Sequence, residues 1–134
     1  AEEYRAVLKQ TPYNVSPYLR LGQVLFAVGN YQGAEQIFRK SLDIEETHIA
    51  HLRLASIYER RENFAEAVRE IEQALSRIPA NQRSRLVLTR YGLAVVLVKN
   101  GDTVKARSEL EQVLRLDPDH KPATVLLNTL KAGQ

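Results

Sequence analysis

Apolar residues recur along this chain at spacings of three and four, and the pattern itself repeats about every 34 residues. Three copies align without gaps over residues 21–42, 54–75 and 93–114. Because this spacing places side chains on one face of an α-helix, each copy predicts two amphipathic helices. A unit of this length cannot bury its apolar face alone and must stack on its neighbours. The pattern therefore predicts an all-α stack of helical hairpins.

Turn-forming residues separate the predicted helices. A pair of them follows the first helix of each copy: Gly29-Asn30, Glu62-Asn63 and Gly101-Asp102. Gly and Asn tolerate the left-handed backbone that ends a helix, and Asn or Asp can cap the next one. No stretch alternates between apolar and polar residues, so no strand is predicted. We expect helices at about 1–11, 15–28, 31–44, 48–61, 64–77, 82–99, 103–115 and 121–132.

Small residues recur at fixed places in every copy. One follows a Leu on the first helix, and another lies on the second helix: Gly22, Ala55 and Ala94, then Ala34, Ala67 and Ala106. Small side chains let two helix backbones approach closely, and larger neighbours fill the remaining space. These positions therefore predict where the helices touch.

This combination of small, large and turn positions resembles the tetratricopeptide repeat family. The resemblance implies a right-handed superhelical α-α solenoid of stacked helix-turn-helix repeats, with three full repeats and a half repeat at each end. We expect one domain with a half repeat at 1–14, repeats at about 15–47, 48–81 and 87–120, and a capping helix at 121–134. Three features depart from the family pattern. His51 and Arg90 replace the early aromatic residue, Tyr18, the first copy ends at 44–46 without a proline, and about five extra residues precede the third repeat.

The resemblance also implies that the first helix of each repeat lines the concave face. The helix predicted at 82–99 carries a second apolar stripe beside its packing stripe. A helix that is apolar on two sides is either buried or covered by a ligand. The matching positions on the other first helices extend this stripe into a predicted partner-binding groove, which comprises Leu19, Gln23, Phe26, Ile49, Leu52, Ser56, Glu59, Leu88, Tyr91, Val95, Val98 and Val125.

An apolar groove predicts a helical or extended apolar segment of a partner protein as its ligand. Family members that grip the C-terminal carboxylate of chaperones use Lys, Arg and Asn along the groove. The matching positions here hold Leu, Gln, Ser, Tyr and Val, so chaperone-tail binding is not expected. The alternative for each groove residue is packing against the neighbouring repeat, because a solenoid buries part of each helix.

Composition and charge narrow the classes of function. The 134 residues include 19 basic and 16 acidic side chains, a formal net charge of +3. We expect no nucleic-acid binding, because the Arg-rich stretch 53–90 is interleaved with Glu and has no aromatic stacking platform. No apolar run is long enough to span a bilayer, so membrane insertion is not expected. The absence of cysteine excludes disulfides and thiolate metal sites.

Two histidines raise the question of a metal site. His48 and His51 follow Glu45 and Glu46 and are spaced to share one helix face. The alternative, which we favour, is a helix start with Thr47 as the N-cap. We expect no metal and no cofactor. We also expect no catalytic residues, because no nucleophile–base pair, phosphate loop or paired carboxylates in a cleft can be identified.

These observations predict a non-catalytic scaffold for protein–protein interaction, whose partner is a protein or peptide. The alternative is a structural self-assembly module that forms homo-oligomers through the groove or the open repeat ends. The chain starts within a repeat and lacks an initiator Met, so we expect a fragment of a larger protein. The sequence does not identify the compartment; the cytoplasm is favoured, and a bacterial envelope is the alternative.

Overall fold

The computed structural model describes residues 15–133, and every regular element in that range is an α-helix. The seven helices are α1 (Val15–Ala27), α2 (Tyr31–Ile44), α3 (His48–Arg60), α4 (Phe64–Leu75), α5 (Arg83–Lys99), α6 (Thr103–Leu116) and α7 (Lys121–Ala132). Each helix packs against the next one along the chain, so that three helical hairpins are stacked and α7 covers the last of them. The helix predicted at 1–11 lies outside the described residues.

The predicted helices agree with the observed ones to within two residues at each end. The largest difference lies at the end of α4, which we predicted at residue 77 and which ends at Leu75. Beyond it, the amides of Arg77 and Ile78 bond to carbonyls only three residues back, at 3.0 and 3.3 Å. This tighter winding ends the α-helical pattern just before Pro79.

The extra residues of the third repeat lengthen its first helix. Helix α5 has 17 residues, whereas α1 and α3 have 13 each. The added turn lies at its start, where Arg83 and Arg85 are exposed. Across residues 15–133 no helix, α5 included, combines the length and apolarity needed to cross a membrane.

Each hairpin turns at one residue with left-handed backbone. The φ angle is 85° at Gly29, 59° at Glu62 and 81° at Gly101. Asn30 and Asp102 then cap the following helix, since their side-chain oxygens accept the amide three residues on, at 3.0 and 3.2 Å. Asn63 makes no such side-chain bond. The middle turn thus has both a side chain in the left-handed region and a weaker cap.

The close approach of α1 and α2 depends on Gly22. A Cβ placed on Gly22 would lie 2.4 Å from Cε1 of the Phe38 ring. Phe38 is fully buried, so its ring has no room to withdraw. The second-helix alanines are fully buried as well: Ala34, Ala67 and Ala106. The small positions of the sequence therefore lie where helices touch.

Two apolar clusters form the core, and α5 belongs to both. The larger cluster holds Leu93 and Leu97 with residues of α2, α3, α4 and α6. The smaller cluster holds Val87 and Ala94 with residues of α6 and α7. Because α5 connects them, the core continues through the third repeat into α7, as a helical repeat solenoid requires.

Hydrogen-bonded polar pairs replace the missing aromatic residues of the second and third repeats. His51 Nδ1 lies 2.8 Å from a carboxylate oxygen of Glu70 on the next helix. Arg90 donates to Glu109 on the next helix at 2.9 Å. In the first hairpin the position equivalent to these glutamates is the apolar Ile37. A polar side chain on the first helix is thus matched by a carboxylate on the second, which avoids an unpaired polar group.

Replacing Gly22 with Ala is expected to destabilise the fold by about 1–3 kcal/mol, because the new methyl overlaps the Phe38 ring. Gly92 is the matched control, since it lies within α5 with no atom within 4 Å of an added Cβ. Gly92→Ala is expected to stabilise the fold by about 0.5–1 kcal/mol through helix propensity. Urea unfolding measures both changes, and effects of the same sign would contradict a tight contact at Gly22.

Candidate partner-binding groove

All twelve predicted groove residues reach the surface, and none of them is fully buried. Among the apolar residues, Leu88 and Val125 are the most exposed, at 72% and 64%, followed by Ile49 at 37%. Gln23 is exposed as well, and the other eight are half-buried. Each predicted position is therefore accessible to a ligand.

Four of the twelve residues meet in two adjoining depressions between the first helices of the repeats. A depression of about 200 Å³ is lined by Gln23, Phe26, Arg53 and Ser56. A second depression of about 520 Å³ is lined by Phe26, Ser56, Glu59, Arg60, Glu62 and Lys99. Phe26 of α1 and Ser56 of α3 border both depressions, so the two form one surface, which we call the Phe26 groove.

The apolar residues of the predicted groove also contribute to the core. Four of them pack against the larger apolar cluster: Leu19, Phe26, Leu52 and Val98. Tyr91 packs against the smaller cluster, and its ring centroid lies 5.0 Å from that of His120. This packing fixes the direction of each side chain. It also means that removing one of these side chains would weaken the fold together with the surface.

Leu88 and Val125 lie outside the Phe26 groove. Leu88 borders a depression of about 640 Å³ beside the loop between α6 and α7. Val125 borders another, of about 460 Å³, on α7, and Pro118 lines both. We call this second surface, at the end of the stack, the Pro118 surface. Six of the twelve predicted residues line none of these four depressions: Leu19, Ile49, Leu52, Tyr91, Val95 and Val98.

Charged side chains surround the Phe26 ring. The Arg60 guanidinium lies 5.9 Å from the ring centroid, within the range of a cation–π contact. Lys99 Nζ lies 3.6 Å from a carboxylate oxygen of Glu59 and 6.0 Å from the Phe64 ring centroid. In the Phe26 groove an aromatic ring is therefore surrounded by charged side chains. The sequence had predicted a groove lined mainly by apolar residues.

The alignment of the repeats could have revealed two of these charged residues, Arg60 and Lys99. Arg60 and Lys99 hold the same position at the ends of α3 and α5. Arg20 and Arg53 share another position on α1 and α3. Comparing the first helices by charge as well as by apolar character would have placed cations along the groove.

Most of the remaining arginines in the stretch 53–90 are paired within the chain. Four of them bond to glutamates at 2.7 to 2.9 Å: Arg61 to Glu35, Arg69 to Glu66, Arg77 to Glu46 and Arg90 to Glu109. Arg85 contacts His48, with 3.0 Å between the two nitrogens. This internal pairing reduces the positive charge that the stretch presents to solvent.

A hydrogen-bonded network holds α3 against α2 next to the groove. The Tyr58 hydroxyl donates to Glu35 Oε2 at 2.7 Å and accepts from Arg39. Arg61 donates to the other oxygen of Glu35 at 2.7 Å. Burial alone would raise the pKa of Glu35, but the hydrogen bonds from Arg61 and Tyr58 and the nearby positive charges lower it below the ordinary 4.5. The ionised Glu35 therefore ties the first repeat to the second.

The two histidines have separate environments. Thr47 caps α3 as predicted, with its hydroxyl oxygen accepting the amide three residues on at 3.2 Å. His51 is buried between Glu70 and Glu46, each 2.8 Å from one ring nitrogen. His48 instead contacts an arginine of α5. Within residues 15–133 no group of three or more His, Cys, Asp or Glu side chains is arranged to hold a metal ion.

Comparison with known sequences agrees with the resemblance noted from the repeat. Sequence models described as tetratricopeptide repeat match residues 18–48 and 46–119. The Arabidopsis thaliana protein described as "Protein CTR9 homolog" is 32% identical over 116 residues, which make up 86% of this chain and 10% of that protein. The chain thus spans about a tenth of the length of this curated relative.

Solved structures share the fold. The crystal structure of MamA has a TM-score of 0.81 at 21% identity, covering 97% of this chain and 74% of that one. The crystal structure of YrrB, described as a TPR protein with an unusual peptide-binding site, has a TM-score of 0.80 at 21% identity, covering 97% and 65%. At these identities the likeness shows the fold alone, which is an all-α helical repeat solenoid as predicted.

Replacing Glu35 with Gln is expected to lower the free energy of unfolding at pH 7 by about 1–3 kcal/mol, because Arg61 and Tyr58 lose a charged acceptor. The contribution of Glu35 is full above its ordinary pKa of 4.5 and is lost as the pH falls through its lowered pKa in the fold. Denaturant unfolding at neutral and at acidic pH measures this. A loss of the same size at both pH values would contradict the account.

The matched control for this change is Glu66→Gln. The Glu66 carboxylate pairs with Arg69 at 2.7 Å on the surface, where both side chains are at least 45% exposed. Exposed pairs contribute less than about 1 kcal/mol, so this variant should unfold close to the wild type at both pH values.

Proposed function

Because this chain belongs to the tetratricopeptide repeat family, we propose that it is a non-catalytic scaffold that binds a helical or extended segment of a partner protein. The binding site is the Phe26 groove, together with the apolar side chains that continue it along α5, which are Tyr91, Val95 and Val98. The partner segment lies across the first helices of successive repeats. Its apolar side chains contact the exposed edges of these residues, and its polar groups bond to the rim.

The observation that carries this proposal is the surface that Phe26 and Ser56 share between α1 and α3. Phe26 is half-buried: it packs against the larger apolar cluster and leaves part of its side chain exposed to a ligand. Ser56 is small, so it leaves space above α3 where a larger residue would fill the groove. Gln23 and Glu59 stand at the rim as hydrogen-bonding groups. The Phe26 ring can contact an apolar side chain of a peptide, while the polar and charged residues around it bond to the polar groups of that peptide.

The likeness to YrrB supports a peptide as the ligand class, since that protein is described as having a peptide-binding site. The shape of the Phe26 groove fits the same class. It is open along its length and continues across several helices, so it suits a chain segment better than a small molecule, which needs an enclosed pocket.

Self-assembly is the second candidate function, and the exposure of the Pro118 surface favours it. Leu88 and Val125 are large apolar residues with 72% and 64% of their surface in solvent. They border two depressions that meet at Pro118. Apolar side chains grouped in this way are often covered by another protein surface. A second copy of the chain would cover them in a homo-oligomer.

Replacing Ser56 with Gln is expected to weaken peptide binding about tenfold or more, because the longer side chain fills both depressions of the Phe26 groove. The probe is a peptide selected for binding to the 134-residue chain from a phage library of random peptides. Its affinity is measured by fluorescence polarisation. Among residues 15–133 the Ser56 hydroxyl bonds only to the Leu52 carbonyl of its own helix, so the melting temperature should stay nearly unchanged.

Ser108→Gln is the matched control, since Ser108 is exposed on the second helix of its repeat. It should bind the selected peptides like the wild type. Equal binding by Ser56→Gln and Ser108→Gln would contradict a site in the Phe26 groove, as would a library that yields no specific peptide.

Self-assembly predicts a molar mass that rises with concentration and falls back when the Pro118 surface is made polar. Light scattering over a concentration series measures the mass of the wild type and of Leu88→Glu. Leu88 is mostly in solvent, so the substitution should leave the melting temperature unchanged. A constant monomer mass for the wild type would contradict self-assembly and leave the groove proposal unaffected.

A further inference from the structure

Building on self-assembly as the second candidate function, we infer that the Pro118 surface binds a second copy of this chain in a closed dimer with twofold symmetry. Both copies use the same surface in such a dimer, so a residue on one half of it meets a residue on the opposite half of the second copy. Leu88 of each copy packs against Val125 of the other, and Arg83 of each copy pairs with Asp119 of the other.

The first argument is the similar make-up of the two halves. Pro118 borders both depressions of the surface, and each depression forms one half. Arg83 and Leu88 line the first depression, which we call the Leu88 half, and Asp119 and Val125 line the second, the Val125 half. Each half thus combines one large exposed apolar residue with charged residues. A twofold rotation places opposite halves on each other, so the apolar side chains leave water together.

The second argument is that the charges of the two halves are complementary. The Leu88 half carries Arg83 and Asp117, and the Val125 half carries Asp119 and Lys121. The twofold arrangement sets Arg83 against Asp119 and sets Asp117 against Lys121. Both contacts join opposite charges, so the surface attracts its own copy, whereas a surface with charges of one sign would repel it.

The third argument is that these four charged groups have no ion-pair partner within residues 15–133. Arg83, Asp119 and Lys121 are exposed, and Asp117 is half-buried. Five arginines elsewhere in the same range do pair with glutamates. The charges of this surface are therefore available to a second chain.

Internal contacts hold the loop of the Pro118 surface in place. The Asp117 side chain accepts the Asp119 amide at 3.3 Å, and the His120 amide donates to the Asp117 carbonyl at 3.1 Å. The His120 ring accepts an amide of the first turn of α7 at 3.1 Å and lies against Tyr91 of α5. A loop that is already ordered loses less conformational entropy when it binds.

The dimer leaves the Phe26 groove open. None of the residues that line the two depressions of the Pro118 surface lines the Phe26 groove. A dimer therefore presents two grooves on one particle, which is the requirement for bivalent capture of a partner.

The test uses two charge reversals that should each prevent dimers and should restore them when they are mixed. Arg83→Glu places a carboxylate opposite Asp119, and Asp119→Arg places a guanidinium opposite Arg83, so each variant repels its own copy at two places. Each should raise the dissociation constant of the dimer about tenfold or more. In a one-to-one mixture the new carboxylate of one variant meets the new guanidinium of the other, and the unchanged Arg83 meets the unchanged Asp119. The mixture should therefore form dimers as the wild type does.

Light scattering over a concentration series up to about 1 mM measures the mass, because an interface with two large apolar residues per copy is expected to be weak. The wild-type mass should rise from that of one chain, 15.2 kDa, to twice that value and no further. A closed twofold dimer has no free copy of the surface left to bind a third chain.

Lys105→Glu and Asp43→Arg are the matched controls, since they change the net charge by the same amounts at exposed positions of second helices. Both should dimerise like the wild type. Arg83 and Asp119 are exposed, so the reversals should keep the wild-type melting temperature. They should also bind the peptides selected by the wild type with unchanged affinity.

The outcomes separate this inference from the proposed functions. A wild type that stays a monomer over the whole series would overturn the dimer and self-assembly together, and would leave peptide binding in the Phe26 groove standing. A mass that rises beyond two chains, or reversals without effect on the dimer, would overturn the twofold arrangement and leave self-assembly standing. Dimers that both variants lose and the mixture does not restore would overturn it too, because Arg83 and Asp119 would then not face each other.

Discussion

The close approach of paired helices at small residues is the constraint on which the rest of the structure depends. At Gly22 the Phe38 ring occupies the space where a side chain would begin, and fully buried alanines hold the second helices of the later hairpins. Because each hairpin is held at this short distance, the hairpins can stack and share one core. The first helices then lie side by side, which places Phe26 and Ser56 on a common surface.

Features that depend on local spacing could be predicted from the sequence. The helices, the turns at Gly29 and Gly101, and the cap at Thr47 follow from residues within three or four positions of one another. The contact of His51 with Glu70 could not be predicted in this way, because it joins two helices. It could be suspected only from the repeat alignment, where His51 and Glu70 stand in place of Tyr18 and Ile37 of the first repeat.

The candidate site was predicted only in part, for two physical reasons. Long charged side chains extend far from their own helix, so Lys99 at the end of α5 reaches Glu59 of α3. This contact adds charge to a surface that the sequence predicted to be apolar. The extra turn at the start of α5 also changes which residues meet at the end of the stack. Because of this turn, Arg83 lies beside the α6–α7 loop and lines the same depression as Leu88. Leu88 of the apolar stripe therefore lies on the Pro118 surface, whereas Tyr91 and Val98 pack against the core.

The central claim is that a partner segment lies on the Phe26 groove. The most direct test is a nuclear magnetic resonance titration of the 134-residue chain with a peptide selected by it, following every backbone amide. A segment bound on the Phe26 groove is expected to give the largest shift changes at residues of α1 and α3 around Phe26, Arg53 and Ser56. Changes concentrated at Leu88 and Pro118, or on the second helices of the repeats, would contradict it.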